Sequence, residues 1–371
     1  NISFRLFQYI RYPSRKSHVR RQRAIPSSVP FPCEDALSWG RSPQRPTSVH
    51  RLRPGDIDVV AAIGDSLVAG SGALEEFALG AFVEYRGVSW CAGGDATWRE
   101  YLTLPNILKE FNPNLRGYST GTGEWLTRNA KFNVAFPVAS DEDALKQAKV
   151  SMLLARMRSS PDIDMANDWK MVTVFIGAND LCSASCLSPV SWSPAAHAKK
   201  LSIALDYLHT HLPRTIVNLV PVLGKFVRSN VLDYSNSFCF LCEKSFLQFP
   251  VLFQVESGRY DTSDDFTVIV QPFMRLFNAP LPPTRPLPLV IHQSYITHDC
   301  FHFSQKGHAL AANLLWNNLL EPVGNKSDAV PPVLLRSFRC PTRRAPFLFT
   351  RANSRSYLVS GKQDGADDVF L

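Results

Sequence analysis

The chain has 371 residues, 45% apolar and 19% charged, which suits one large globular α/β domain or two smaller ones. No apolar stretch approaches the roughly 20 residues that span a bilayer. The net charge of +8 is uneven: residues 1–53 carry 11 Lys/Arg against 2 Asp/Glu, and the remainder carries 29 against 30. The globular part therefore lacks the basic footprint of a nucleic-acid-binding protein.

Taken in order, residues 1–53 include "RYPSRKSHVRRQRAIPSSVP" and are expected to form a basic, disordered leader and linker. The segment "FRLFQYI" is too short and interrupted for the apolar core of a signal peptide. A folded domain is expected over 54–330. It opens with "DIDVVAAI" (56–63), an apolar run bounded by Gly55 and Gly64 that fits a buried parallel strand. "KFNVAF" (131–136) reads as a shorter strand, and "DEDALKQAKVSMLLARM" (141–157), acidic at its start, as a helix. "WKMVTVFI" (169–176) is a third strand. "SPAAHAKKLSIALDYLHTHL" (193–212) has a Ser cap and Pro at the first helical position. "RTIVNLVPV" (214–222) and "DFTVIVQPF" (265–273) are further strands, and "GHALAANLLWNNLLEP" (307–322) is a helix ended by Pro322. Residues 331–371 read as an irregular tail. Alternating strands and helices indicate an α/β fold with a parallel sheet covered on both faces, and sites in such sheets form beyond the C-terminal strand ends.

Three places at or near those ends carry chemistry. The first strand closes on Gly64-Asp65-Ser66, the 169–176 strand on Gly177-Ala178-Asn179-Asp180, and Asp299 precedes His302 by three residues just ahead of the last helix. Ester hydrolysis by a serine needs a nucleophile, a base, an orienter for that base and oxyanion donors. Ser66, His302, Asp299 and Asn179 can supply them, with His298 and His308 as competitors for the base. Each motif alone is more often a turn or a helix cap; their conjunction, in an order that closes one site, points to a hydrolase. The site is not the G-x-S-x-G elbow, because position 68 is Val.

Gly64-Asp65-Ser66-Leu67, Gly177-x-Asn179-Asp180 and Asp299-x-x-His302 resemble blocks I, III and V of the GDSL, or SGNH, hydrolases. Longer stretches, among them "YRGVSWCAGGD", "LPNILKEFNPNLRGYSTGTG" and "DCFHFSQKGHALAANLLWNNLLEPVG", resemble the phospholipase branch of that family from about Phe31 to about Phe349. The resemblance implies a flavodoxin-like α/β/α three-layer fold and hydrolysis of phospholipid and lysophospholipid acyl esters at a membrane or micelle surface. It implies no metal, no other cofactor and no protein partner. By position it makes Ser66 the nucleophile and an oxyanion donor through its backbone N–H, His302 the base, Asp299 its orienter and Asn179 an oxyanion donor. Gly64, Asp65, Gly177 and Asp180 support the loops. Block II departs from the family pattern: "NVAFPVAS" (133–140) puts Val138 where a glycine normally donates its N–H, and a β-branched residue disfavours positive φ. A misplaced donor would lower the rate by about 10²–10³. Gly93-Gly94 is an alternative donor. The connection between "FCFLCEKSFLQFP" and "ESGRYDT" is also shorter than is usual in the family, which with the ragged leader and tail suggests a fragment or an imperfect gene model.

Two other classes follow from these features. A catalytically silent lipid-binding or interaction module is motivated by Val138 and the short connection. A zinc domain would use the close pairs Cys182/Cys186 and Cys239/Cys242 with His298 or His302, although 52 residues separate the pairs. The cysteines and the sequons at Asn1 and Asn325 fit an oxidising, secretory location, extracellular or at an apical membrane surface. Pairing of Cys33 with Cys340, near the two ends of the domain, is a guess for peptide mapping to test.

Overall fold

The computed structural model describes residues 19–149, 152–180, 193–222, 254–274, 293–299, 301–327, 335 and 338–363. Its strands are β1 (Val59–Gly64), β2 (Lys170–Phe175), β3 (Thr215–Leu219) and β4 (Phe266–Val270). All neighbours are parallel, in the order β1-β2-β3-β4, with Val59 opposite Lys170, Lys170 opposite Thr215 and Thr215 opposite Phe266. The helices that matter here are α1 (Ser66–Ala69), α2 (Leu104–Phe111), α3 (Asp143–Ala148), α4 (Leu153–Ser159), α5 (Pro194–His211), α6 (Gln305–Leu319) and α7 (Arg351–Gln363).

Strand residues alternate between two cores, as the pleat dictates. Val60, Ala62, Met171, Phe175, Ile216 and Ile269 face one core with Leu104, Ile107 and Phe111 of α2 and Leu315 and Trp316 of α6. Val59, Ala61, Ile63, Val172, Val174, Val217 and Val268 face the other with Ala144 of α3, Leu153 and Met157 of α4, and Leu201 and Leu205 of α5. This is the expected α/β architecture with a central parallel sheet between helical layers.

Three expectations need correction. The 141–157 segment is two helices, because Lys149 takes an extended backbone (ψ 171°) after α3. "KFNVAF" pairs with β1 only through an isolated bridge, Ala62 to Asn133. Phe132 O accepts from Ala62 N at 3.1 Å on that side, and on the opposite edge the Arg86 guanidinium donates to Asn133 O at 3.0 Å and Ala135 O at 2.7 Å. Residues 19–53, expected to be disordered, pack into the domain: Phe31, Val49 and Leu52 are buried in the α2/α6 core, and Phe31 meets Trp98 edge-on at 5.3 Å. The tail does likewise through Leu348 and Phe349, both buried. Cys33 and Cys340 form a disulfide that ties the two segments together.

Candidate active site

At the end of β1 the chain turns directly into α1. Asp65 is its cap, accepting from Leu67 N at 2.9 Å, so Ser66 is the first helical residue. An N–H at that position has no intrahelical acceptor. Gly64, just before the turn, is clasped through both backbone groups by Gln147 of α3: its N–H donates to Oε1, and Nε2 donates to its carbonyl, each at 2.8 Å. The Ser66 turn is thus held from a distant helix.

The candidate base, His302, lies on the loop before α6. His302 Nδ1 is 2.5 Å from Asp299 Oδ2. The other carboxylate oxygen accepts from Phe301 N at 3.0 Å, His302 N at 3.1 Å and the Thr297 hydroxyl. Burial alone would raise the Asp299 carboxyl, but these donors and the facing imidazole hold it well below the usual carboxylate range. An ionised Asp299 keeps the proton on Nδ1 and leaves Nε2 as an acceptor. His302 lies near enough to Asp65 for its charge to act on that carboxyl. No hydrogen bond joins Ser66 to His302 among the described residues; such bonds are often long before substrate binds.

Blocks II and III meet beside this turn. Asn179 Nδ2 donates to Ala139 O at 2.9 Å, and Asp141 N donates to Asp180 at 3.0 Å. Gly177 has φ 124°, and a Cβ there would lie 2.6 Å from the buried His197 ring. Val138 has φ 64° and is 78% exposed, so the block II position does take the left-handed backbone that a glycine would supply. Gly93 and Gly94 are removed as alternative donors, since their N–H groups are bonded to Ser89 O and Ser119 O, each at 2.8 Å.

Residues 60–315 match the family model described as GDSL-like Lipase/Acylhydrolase. This chain belongs to the GDSL lipase/acylhydrolase family. It is 41% identical over 336 residues to "Phospholipase B1, membrane-associated" of Homo sapiens, covering 83% of this chain and 22% of that protein. The Rattus norvegicus protein of the same name is 41% identical over 335 residues, with 83% and 23% covered. The Mus musculus one is 40% identical over 340, with 83% and 22% covered. The chain thus spans less than a quarter of the length of these relatives.

Other groups in this GDSL domain sort by what they touch. His308 is buried, accepts from Trp90 N at 3.2 Å, and is pushed down to about 3 by burial and by His302, so it stays neutral. His298 pairs with Arg20 at 2.9 Å. Of the three candidate bases, only His302 faces a carboxylate as the dyad requires. Burial pushes Asp65 up to about 7 and Asp180 up to about 8, the latter helped by the Asp141 charge. Asp141 itself is paired with His197 Nδ1 at 2.9 Å and Lys200 Nζ at 2.8 Å, which outweigh burial and lower it. Asp141, Asp180 and His197 are the one group among the described residues with ligand atoms close enough, within 4.8 Å, to share a cation. The Lys200 ammonium on Asp141 makes the cluster a charge-balanced clamp instead. The cysteine pairs of the zinc reading and the short connection near 240–255 lie outside the described residues, apart from Gln254 and Val255.

Sequence reasoning missed Arg86, Gln147, Asp141 and His197. Arg86 is fully buried, pairs with Glu84, and adds a bond to Gly123 O at 2.6 Å, so it holds the block II backbone from below. None of these sits in a short motif; the one available signal was "YRGVSW", an arginine inside an otherwise small and apolar run.

Proposed function

We propose that this chain is a serine esterase hydrolysing acyl esters of phospholipids and lysophospholipids through Ser66, His302 and Asp299. The observation that carries the reading is the Asp299–His302 pair, 2.5 Å apart, in the order and residue types that the family's Ser66 turn calls for. The substrate class is taken from the names of the relatives, and with it a secretory, membrane-facing location. No helix among the described residues is long and apolar enough to cross a membrane.

Ser66 Oγ attacks the ester carbonyl carbon while its proton passes to His302 Nε2. The carbonyl oxygen takes up the C=O π electron pair and becomes an oxyanion, received by the N–H groups of Ser66 and Val138 and the Asn179 amide. Collapse breaks the acyl C–O bond, and His302 returns the proton to the leaving alcohol. Water then attacks the acyl-enzyme by the same route and releases the fatty acid. No step calls for a metal, so EDTA should leave turnover unchanged.

The test is fluorophosphonate labelling of the folded chain beside Ser66→Ala, with fatty-acid release from phosphatidylcholine measured in parallel. Labelling and release are expected in the first and absent in the second. Release undiminished in Ser66→Ala would falsify the mechanism. A second reading, a silent lipid-binding module, is motivated by the valine side chain that stands in the block II glycine place. It expects a folded chain that binds lipid and fails to label.

A further inference from the structure

The 3₁₀ helix Ala78–Phe82 and its flanks form a lip that is apolar on the outside. Phe77 is 49% exposed, Leu79 69%, Phe82 85% and Val83 37%. Four large apolar side chains left in water within seven residues are unusual, since an aromatic or Leu side chain gives up about 1.5–3 kcal/mol by staying exposed.

The position of the lip says what it is for. Gly72 N donates to Val83 O at 2.8 Å, and Tyr85 N donates to Gly70 O at 3.0 Å, so the lip hangs from the residues that follow Ser66 and α1. On its other side Gly72 faces the catalytic loop. A Cβ on it would lie 3.1 Å from Ala81 Cα in the lip and 3.5 Å from the Thr297 methyl, and Thr297 holds Asp299. One glycine thus separates the lip from the Asp299–His302 loop. Its base carries mixed charge: Arg21, 46% exposed, donates to Leu74 O at 3.1 Å and lies 3.9 Å from Glu76, Glu75 accepts from the Tyr85 hydroxyl, and Arg20 Nε donates to Ile296 O at 2.9 Å. An apolar edge above arginines fits a bilayer surface, where aromatic and leucine side chains enter the acyl boundary and guanidinium groups meet phosphates.

We propose that Phe77, Leu79 and Phe82, with Arg21 beside them, dock this domain onto a phospholipid bilayer and set the Ser66 mouth against it. The inference deepens the esterase reading and rests on it for the choice of a lipid rather than a protein partner. The arrangement leaves the acyl ester only a short way to travel from the bilayer to the nucleophile.

The experiment uses the whole chain, with its disulfide intact, and sedimentation with vesicles of phosphatidylcholine containing phosphatidylglycerol. Phe77→Ser/Leu79→Ser/Phe82→Ser together should lower the vesicle partition coefficient by at least about tenfold. Arg21→Ser should lower it severalfold, and only with the anionic lipid present. Thermal unfolding of each variant checks its fold. A Phe82→Trp variant, which keeps the apolar surface, should show a blue-shifted emission on adding vesicles. Partition unchanged in the triple variant, or no shift for the Trp, overturns the proposal; so does a second copy of the chain covering the lip, seen as a dimer that the triple variant dissociates. Fluorophosphonate labelling of the unsubstituted chain is read separately. Vesicle binding that depends on the lip in a chain that does not label would keep the docking surface and remove the esterase reading.

Discussion

Replacing Val138 by glycine isolates one strained residue. A left-handed backbone costs an L-residue roughly 1–2 kcal/mol, and a β-branched side chain sits there least well. Val138 holds φ 64° with its side chain 78% exposed, so the substitution removes the strain and gives up little burial. Against this, glycine's extra freedom in the unfolded chain costs about 0.4–1 kcal/mol. The balance for Val138→Gly is a stabilisation of about 0.5–1 kcal/mol, a rise of roughly 1–2 °C in Tm for a domain of this size. Val138→Ala keeps the chiral penalty and should gain less. Scanning calorimetry on the three proteins reads the order directly. The same backbone angle implies that the N–H already points where a glycine would aim it, so fluorophosphonate labelling should quicken less than tenfold. A Tm lowered by Val138→Gly would refute the strain argument. A gain of 10²–10³ in labelling would show instead that valine displaces the donor.

Asp180 gives a pH signature. Its carboxyl titrates near 8 in the folded chain and near 4 when unfolded, so between those values the native state holds the extra proton. Stability should therefore fall as pH rises through that window, and Asp180→Asn should flatten the decline; a residual slope ending near 7 belongs to Asp65. Urea titrations at pH 5, 6, 7 and 8 would measure both, and identical slopes in the two proteins would count against the assignment. Arg86→Met leaves Glu84 buried without its partner and strips block II of two donors, so a loss of about 3–5 kcal/mol is expected. Arg86→Lys should recover only part of it in the same titration, because one ammonium cannot replace the planar fork. Cys33→Ser/Cys340→Ser opens a crosslink of sequence separation 307 and should cost about 2–5 kcal/mol; an unchanged unfolding midpoint would mean the ends are held by packing alone.

What could be read from the residues was whatever repeats locally. The strands at 59–64, 170–175, 215–219 and 266–270 follow from uninterrupted apolar runs, and the three motifs of the candidate site stand at or near the ends of elements those runs define. The packed leader was hidden because Phe31, Val49 and Leu52 are scattered among Pro, Ser and Arg, and no period of 2 or 3.6 links them. The failure of 131–136 as a strand was hidden for a different reason. Its apolar pattern is correct, but only Ala62 of β1 bonds it on one edge, and its other edge is held by the side chain of Arg86, 47 and 49 residues away, in place of a strand. Side-chain partners of that range leave no trace in spacing.

The two contacts between blocks II and III have a mechanical consequence. Ala139 is fastened to Asn179 and Asp141 to Asp180, so neighbouring residues on one strand end grip alternate residues on the loop. A single fastening would act as a hinge; two in series fix the tilt as well. The loop therefore takes its attitude from β2, which is anchored in the sheet, and not from the preferences of its own backbone. Residue 138 is carried by its neighbours, which lets an ill-suited side chain sit at the rim of the candidate site without bending the loop's frame.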